Sequence, residues 1–217
     1  MKAISRGLTL PCLCFGLFLI LSGCVGPTNP IQEVSYFTFS YDPPQAVGDS
    51  RLPIVLQIDP FTVAPLYNTE KIVYKPEPFQ RKVYHYHRWQ SNPGDLVASY
   101  LARDMKASGR FAAVITQSGR LLPTHHLTGT VDEFFEDDTG SGWQAVIGIT
   151  ITLTNAGERQ ADKAIIYQKS YQMSESSASR SPTAVVSAMS IAMSAVSNTV
   201  IADVYSALSD SAAPSKP

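Results

Sequence analysis

Hydrophobic and polar positions alternate most clearly between Trp143 and Leu153. Ala145, Ile147, Ile149, Ile151 and Leu153 fall on one side, and Thr150, Thr152 and Thr154 on the other. A period of two marks a strand with one buried face. The turn residues Gly140-Ser141-Gly142 precede it and Asn155-Ala156-Gly157 follow it. They predict hairpins to a strand over Leu127–Phe135 and to another over Ala164–Met173. Shorter β-prone runs lie at Tyr36–Phe39, Ile54–Ile58, Lys71–Tyr74, Val83–Trp89 and Phe111–Thr116.

Two segments change to helical spacing. In the first, Leu96, Tyr100, Leu101 and Met105 form a stripe. Asn92 can cap it, Pro93 suits its first turn, Asp95 favours its positive end, and Gly109 suits its stop. The second starts at Ser181 and Pro182 and runs to about Leu208, with Val185, Met189, Val196, Val200, Val204 and Leu208 on one face. No charge occurs in the 22 residues from Ser181 to Ala202. Eight of these are Ser, Thr or Asn, which makes membrane insertion poor. Ser187, Ser190, Ser194 and Ser197 make a stripe of small residues beside the apolar one. Close packing on a sheet is the preferred reading, and a surface buried against a second subunit is the sharper one. The pattern as a whole predicts an α+β, two-layer domain: a largely antiparallel mixed sheet covered by two helices. Trp143, Ile147, Ile149, Ile151, Leu101 and Val196 are its expected core.

The first residues follow a different pattern. Lys2 and Arg6 are the only charges before Glu33, and an apolar block of 14 residues runs from Leu8 to Leu21. A basic start and a short apolar block make a secretory signal peptide, since the block is too short to span a bilayer comfortably. Leu21-Ser22-Gly23-Cys24 resembles a bacterial lipobox. That resemblance implies that the Cys24 thiol receives a diacylglyceryl group, that the chain is cut before it, and that the new amino terminus is acylated, with palmitate as the expected chain type. Two or more acyl chains anchor a protein stably. Val25, not Asp, follows the cysteine, so the expected site is the outer membrane, on its periplasmic face.

Cutting before Cys24 removes 23 of 217 residues and leaves 194. It takes the formal net charge from −1 to −3 through loss of Lys2 and Arg6. Cys12 and Cys14 leave with the signal, so the mature chain has no disulfide and its core must carry its stability. The near-neutral charge offers no basic footprint for nucleic acid. The expected organisation is a signal peptide at 1–23, a lipidated tether at 24–35, one domain at 36–208 and a flexible tail at 209–217.

Catalytic patterns are missing. There is no G-x-S-x-G, H-E-x-x-H, C-x-x-C or G-x-x-x-x-G-K. His85 and His87 share a strand face but lack an evident third ligand. His125 and His126 are adjacent and should point to opposite faces. Asp132, Glu133, Glu136, Asp137 and Asp138 lack calcium-loop spacing and are expected to solvate a hairpin end. No catalytic residue, cofactor or metal site is assigned.

The order of elements resembles the ABC-type transport auxiliary lipoproteins. The resemblance rests on Tyr36-Phe37-Thr38-Phe39, Ile58-Asp59-Pro60-Phe61-Thr62-Val63, Lys71-Ile72-Val73-Tyr74, Arg88-Trp89 before Asn92-Pro93, Ser108-Gly109-Arg110-Phe111, Val131-Asp132-Glu133-Phe134 and the long last helix. One departure is Pro65-Leu66-Tyr67-Asn68 where a Tyr-Leu pair is expected. The resemblance implies a non-catalytic auxiliary of an MCE-domain lipid transport system, docking that assembly at the outer membrane. It also implies that copies can form a homo-oligomeric ring, with the uncharged helix face at the interface. Other classes stay open at this point: an assembly factor for secretion or outer-membrane biogenesis, and an envelope hydrolase.

Overall fold

The computed structural model describes residues 32–45, 51–116, 121–140 and 142–212. Cys24, the signal segment and most of the tether lie outside them, as do Ser141 and residues 213–217. The described elements are β1 (Ser35–Phe37), β2 (Leu52–Ile58), β3 (Thr62–Val63), β4 (Lys71–Lys75), β5 (Lys82–Trp89), α1 (Pro93–Ala107), β6 (Phe111–Ile115), β7 (His125–Asp137), β8 (Gln144–Asn155), α2 (Ala161–Ala164), β9 (Ile165–Ser176) and α3 (Pro182–Ala212).

All nine strands belong to one sheet organised around β7. One edge of β7 pairs with β8 along its length, antiparallel, and β8 pairs with β9 in the same sense. The other edge takes three short parallel partners in turn: β2 at His125–Leu127, β3 at Thr130–Val131 and β4 at Glu136–Asp137. β4 pairs antiparallel with β5, and β1 and β6 add parallel edges on β5 and β2. The long ladders are therefore antiparallel, and the fold is α+β with a mixed sheet, as the sequence pattern predicts.

A bulge sets which side chains β7 buries. The pairing with β8 shifts between Val131 and Glu133, leaving Asp132 unmatched. Leu127 and Val131 are fully buried before the shift, and Phe134 and Glu136 are buried after it. Without the extra residue, Phe134 would turn to the opposite face, because side chains alternate with period two. Opposite them, Ile147, Ile149, Ile151 and Leu153 are each at most 1% exposed. Thr150, Thr152 and Thr154 lie on the open face. There Thr150 Oγ1 donates to Asp132 at 2.6 Å, and Gln168 Nε2 donates to Thr152 at 2.9 Å.

α1 packs over β2, β6 and β7, while α3 packs over β8 and β9 and against α1. The predicted caps form. Asn92 Oδ1 accepts from Gly94 N at 3.0 Å, Ser181 Oγ accepts from Ala184 N at 3.3 Å, and Gly109 takes a left-handed φ of 67°. α3 is long and apolar enough to cross a membrane, but 61% of its most apolar window is buried within the fold. It is the core helix of the domain.

Three features depart from the sequence pattern. Trp143 is a half-buried residue ahead of β8, and Trp89 instead fills the core at 1% exposure. Residues 209–212 continue α3 where a flexible tail is expected from 209 onward, with Ser211 Oγ donating to Leu208 O at 2.9 Å. The two-residue β3 and the single turn α2 have no periodicity to announce them.

Candidate functional site

The segment that follows the tether is locked into the domain. Phe39, just after β1, is 2% exposed and meets Trp89, Tyr100 and Phe134 at ring-centroid distances of 5.8, 5.0 and 6.1 Å. Aromatic pairs at such spacing add to the burial of their area. The Tyr100 hydroxyl donates to Phe39 O. Ser40 N donates to Ser190 Oγ on α3 at 3.1 Å. The Tyr41 hydroxyl donates to Asp104 at 2.8 Å, and Arg103 binds the same carboxylate at 2.7 Å while lying over the Tyr41 and Tyr100 rings. Asp104 is fully buried and is satisfied by these partners. Burial and the Asp104 carboxylate push the Tyr41 hydroxyl far above its ordinary pKa. The sequence shows the aromatic run here but not the α1 residues that hold it.

The acidic run on β7 splits. Glu136 is only 1% exposed, so it does not solvate a hairpin end as expected. The bulge turns it to the core face, where the Tyr84 hydroxyl donates to both its oxygens at 3.2 Å. Burial raises its pKa to about 7 and the charge of Asp138 adds to the rise, against the opposing effect of the Tyr84 hydrogen bond. Asp137 pairs with Lys75 at 2.9 Å. Near it, a hollow of about 280 Å³ is lined by Thr139, Trp143, Gln144 and Ser176. Among the described residues, Asp137 is the only acid on its wall, and no histidine or cysteine lines it.

The histidines do not assemble into a site. His85 is exposed, and His87 meets the Phe37 ring at 5.8 Å. His125 and His126 diverge, as their adjacency requires. His126 Nδ1 lies 3.0 Å from Asp59, which Gln57 also holds at 2.6 Å. His125 Nδ1 lies 3.0 Å from Thr124 Oγ1, and burial, helped by the adjacent His126, lowers its pKa. Among the described residues, no three His, Cys, Asp or Glu side chains come together as metal ligands.

The small-residue stripe of α3 also divides. Ser190 and Ser197 are buried at 3% and 1%, which is close packing inside the domain, and Ser190 meets Ser40 rather than a strand. Toward the C-terminal end of α3, Asp203 accepts from Lys169, Tyr171 and Tyr167 of β9 at 2.8, 2.9 and 3.1 Å. The Lys169 hydrogen bond leads in holding the Asp203 carboxyl below its usual range. The exposed residues of the uncharged stretch are Thr183, Ser187 and Ile191 and, further along, Asn198, Thr199 and Ala202, with Ile191 53% exposed.

This arrangement of sheet, α1 and α3 defines a known domain class. A crystal structure of a Xanthomonas campestris protein superposes with a TM-score of 0.73 at 18% identity, covering 82% of this chain and 98% of that one. A second crystal structure, of an uncharacterized protein, superposes with a TM-score of 0.62 at 15% identity, covering 79% and 99%. At these identities the likeness is one of fold. Comparison with curated proteins finds no match. The family model for the ABC-type transport auxiliary lipoprotein component matches residues 37–201, and the chain belongs to that family. That family is one of lipoproteins that are auxiliary components of ABC-type transport.

Proposed function

We propose that this chain is a non-catalytic adaptor of an MCE-domain, ABC-type lipid transport system, anchored through Cys24 on the periplasmic face of the outer membrane and docking the transport assembly there. The match of residues 37–201 to the transport auxiliary family carries this reading. The lipobox Leu21-Ser22-Gly23-Cys24 supplies the anchor. The locked segment from Phe39 to Tyr41 suits a tethered adaptor, because a pull on the tether meets buried aromatic packing and the Asp104 network. His126 is held by Asp59, Glu136 by Tyr84 and Asp104 by Tyr41 in structural hydrogen bonds.

The experiment is acyl labelling with membrane fractionation. The natural chain incorporates labelled palmitate and sediments with the outer membrane. Cys24→Ala leaves an uncleaved, unlabelled precursor. Continued labelling of that variant overturns the anchor assignment, and recovery of the natural chain in the inner membrane overturns its location.

The same reading includes self-association. The exposed, uncharged edge of α3 at Thr183, Ser187 and Ile191 supports a ring contact between copies. Sedimentation in detergent is expected to find an oligomer. A strict monomer at high concentration removes the ring.

A further inference from the structure

Strand β9 leaves one edge of the sheet open. It pairs with β8 along one side, and among the described residues no strand pairs with the other. Ser177 N donates to Trp143 O at 2.8 Å, one step beyond the opposed residues Ser176 and Gln144. Hydrogen-bonded and non-bonded pairs alternate along an antiparallel ladder. Glu175, Met173, Tyr171 and Lys169 therefore direct their backbone groups to β8. The N–H and C=O groups of Gln168, Ser170, Gln172, Ser174 and Ser176 point outward, and all five residues are exposed. The register is regular over this stretch, since its one shift lies beyond it, between Leu153 and Thr154.

Natural sheets blunt a long open edge with proline, a bulge or an inward charge. Gln168–Ser176 has no proline. Its two charges, Lys169 and Glu175, share a face with Tyr171, whose hydroxyl donates to Asp203 on α3. The outward row is uncharged. The other sheet edges are too short to cover this one. β1 has three residues and β6 has five, and the Phe111 and Ala112 carbonyls of β6 already accept from Arg51. A second copy of β9 matches it in length.

The strand is also complementary to itself. A two-fold axis through Gln172 sets two copies of β9 antiparallel, with outward-facing residues opposite outward-facing residues. Gln172 then meets Gln172, Ser170 meets Ser174 and Gln168 meets Ser176 of the second copy. The opposed pairs exchange two bonds each, about ten backbone hydrogen bonds in all. On the other face Lys169 lies opposite Glu175, and Tyr171 opposite Met173. An axis at any other residue of β9 loses the match of Lys169 to Glu175. The Lys169 ammonium has three donors, so its bond to Asp203 at 2.8 Å leaves others for Glu175 of the second copy. Opposed residues share a face, so both α3 helices lie on one side of the joined sheet. With strands about 4.8 Å apart, helices lying over β8 and β9 stand roughly 10 Å apart, the spacing of packed helices.

We propose that β9 is a pairing edge for a second copy of this chain, joined antiparallel about a two-fold axis at Gln172. This rests on the reading that copies associate, and it names a surface for that association. A two-fold contact closes on itself, so this edge makes pairs and does not by itself extend a ring.

The test uses the full lipidated chain in mild detergent. Gln172→Cys is oxidised and digested, and the joined peptides are read by mass spectrometry. The two Cα atoms at the axis stand about 5.5 Å apart, within disulfide reach. A disulfide between two copies of the peptide carrying position 172 is expected. Ser170→Cys and Ser174→Cys are expected to join to each other when mixed and neither to itself, which fixes the register. Thr128→Cys, on the open face of β7, is expected to stay unjoined. Gln172→Pro removes an outward N–H that the fold itself does not use. It is expected to lower the paired fraction in sedimentation roughly tenfold or more while the circular dichroism of the fold is unchanged. Glu175→Lys sets two pairs of like charges opposite one another and is expected to weaken pairing about tenfold. An oligomer in which position 172 stays unjoined, or joins to another segment of the chain, overturns this pairing and leaves the association reading standing. A strict monomer overturns both.

Discussion

Glu136 makes the stability of the domain depend on pH in a direction opposite to that of a salt-bridged carboxylate. Its pKa rises from 4.5 to about 7, chiefly through burial. A folded state with a raised carboxyl pKa binds more protons than the unfolded chain between those two values. The stability that this group contributes is fully present below about pH 4.5 and is lost as the pH rises through about 7. A shift of this size corresponds to at most about 3 kcal/mol. Glu136→Gln keeps the shape and an acceptor for the Tyr84 hydroxyl but cannot ionise. The variant should match the natural chain within about 1 kcal/mol at pH 5 and exceed it by about 2–3 kcal/mol at pH 8. For a domain of this size, that difference raises Tm at pH 8 by roughly 5–10 °C. The assay is urea denaturation in mild detergent at several pH values, with extrapolation to zero urea. His125 has a lowered pKa and loses stability as the pH falls below its ordinary value near 6.5. The difference between variant and natural chain removes that contribution. If the two stability curves run parallel from pH 5 to 8, the Glu136 carboxyl ionises as readily in the fold as in the unfolded chain, and the reasoning fails.

Two further substitutions test the packing. A methyl group at Gly94 would lie 2.3 Å from the backbone oxygen of Phe61, which cannot rotate away. Gly94→Ala should therefore cost about 1–3 kcal/mol in urea denaturation, and an unchanged midpoint would mean that α1 sits further from Phe61. Asp104→Ala removes the partner of Tyr41 and of Arg103 inside the fold. It should cost about 1–3 kcal/mol, since the Arg103 left behind is 35% exposed, and speed proteolytic cleavage near Tyr41, whereas an unchanged cleavage rate would show that Phe39 and the bonds from Tyr100 and Ser190 hold the segment without it.

Much of the sheet is legible in the sequence because one face of each long strand is buried against helices. The Ile147, Ile149, Ile151 series is visible for that reason, and so are the caps Asn92 and Ser181. The β7 bulge is harder to see. Val131 and Phe134 are both buried although an odd number of positions separates them, and only the register with β8 reveals the extra residue. The same shift hides the burial of Glu136, which looks solvent-facing inside an acidic run. Strand β3 has only two residues and owes its place to pairing with Thr130 and Val131. Trp143 misleads because its size suggests core, yet it precedes the first buried position of β8. The departing loop Pro65-Leu66-Tyr67-Asn68 also gains a role, since Tyr67 stacks on Phe135 at 5.7 Å and covers the second face of the sheet. For the candidate site the sequence carries the lipobox and the aromatic first strand. It does not carry the partners on α1 and α3 that lock that strand's continuation, because those contacts span more than 60 residues.

The adaptor role is tested most directly by its partner. A tagged, lipidated chain is cross-linked in intact cells and purified from detergent-solubilised envelopes, and the captured proteins are identified by mass spectrometry. The account predicts an MCE-domain protein as the principal cross-linked species, retained by the natural chain and lost with Cys24→Ala. Recovery of secretion or outer-membrane assembly components, with no MCE-domain protein, would contradict it.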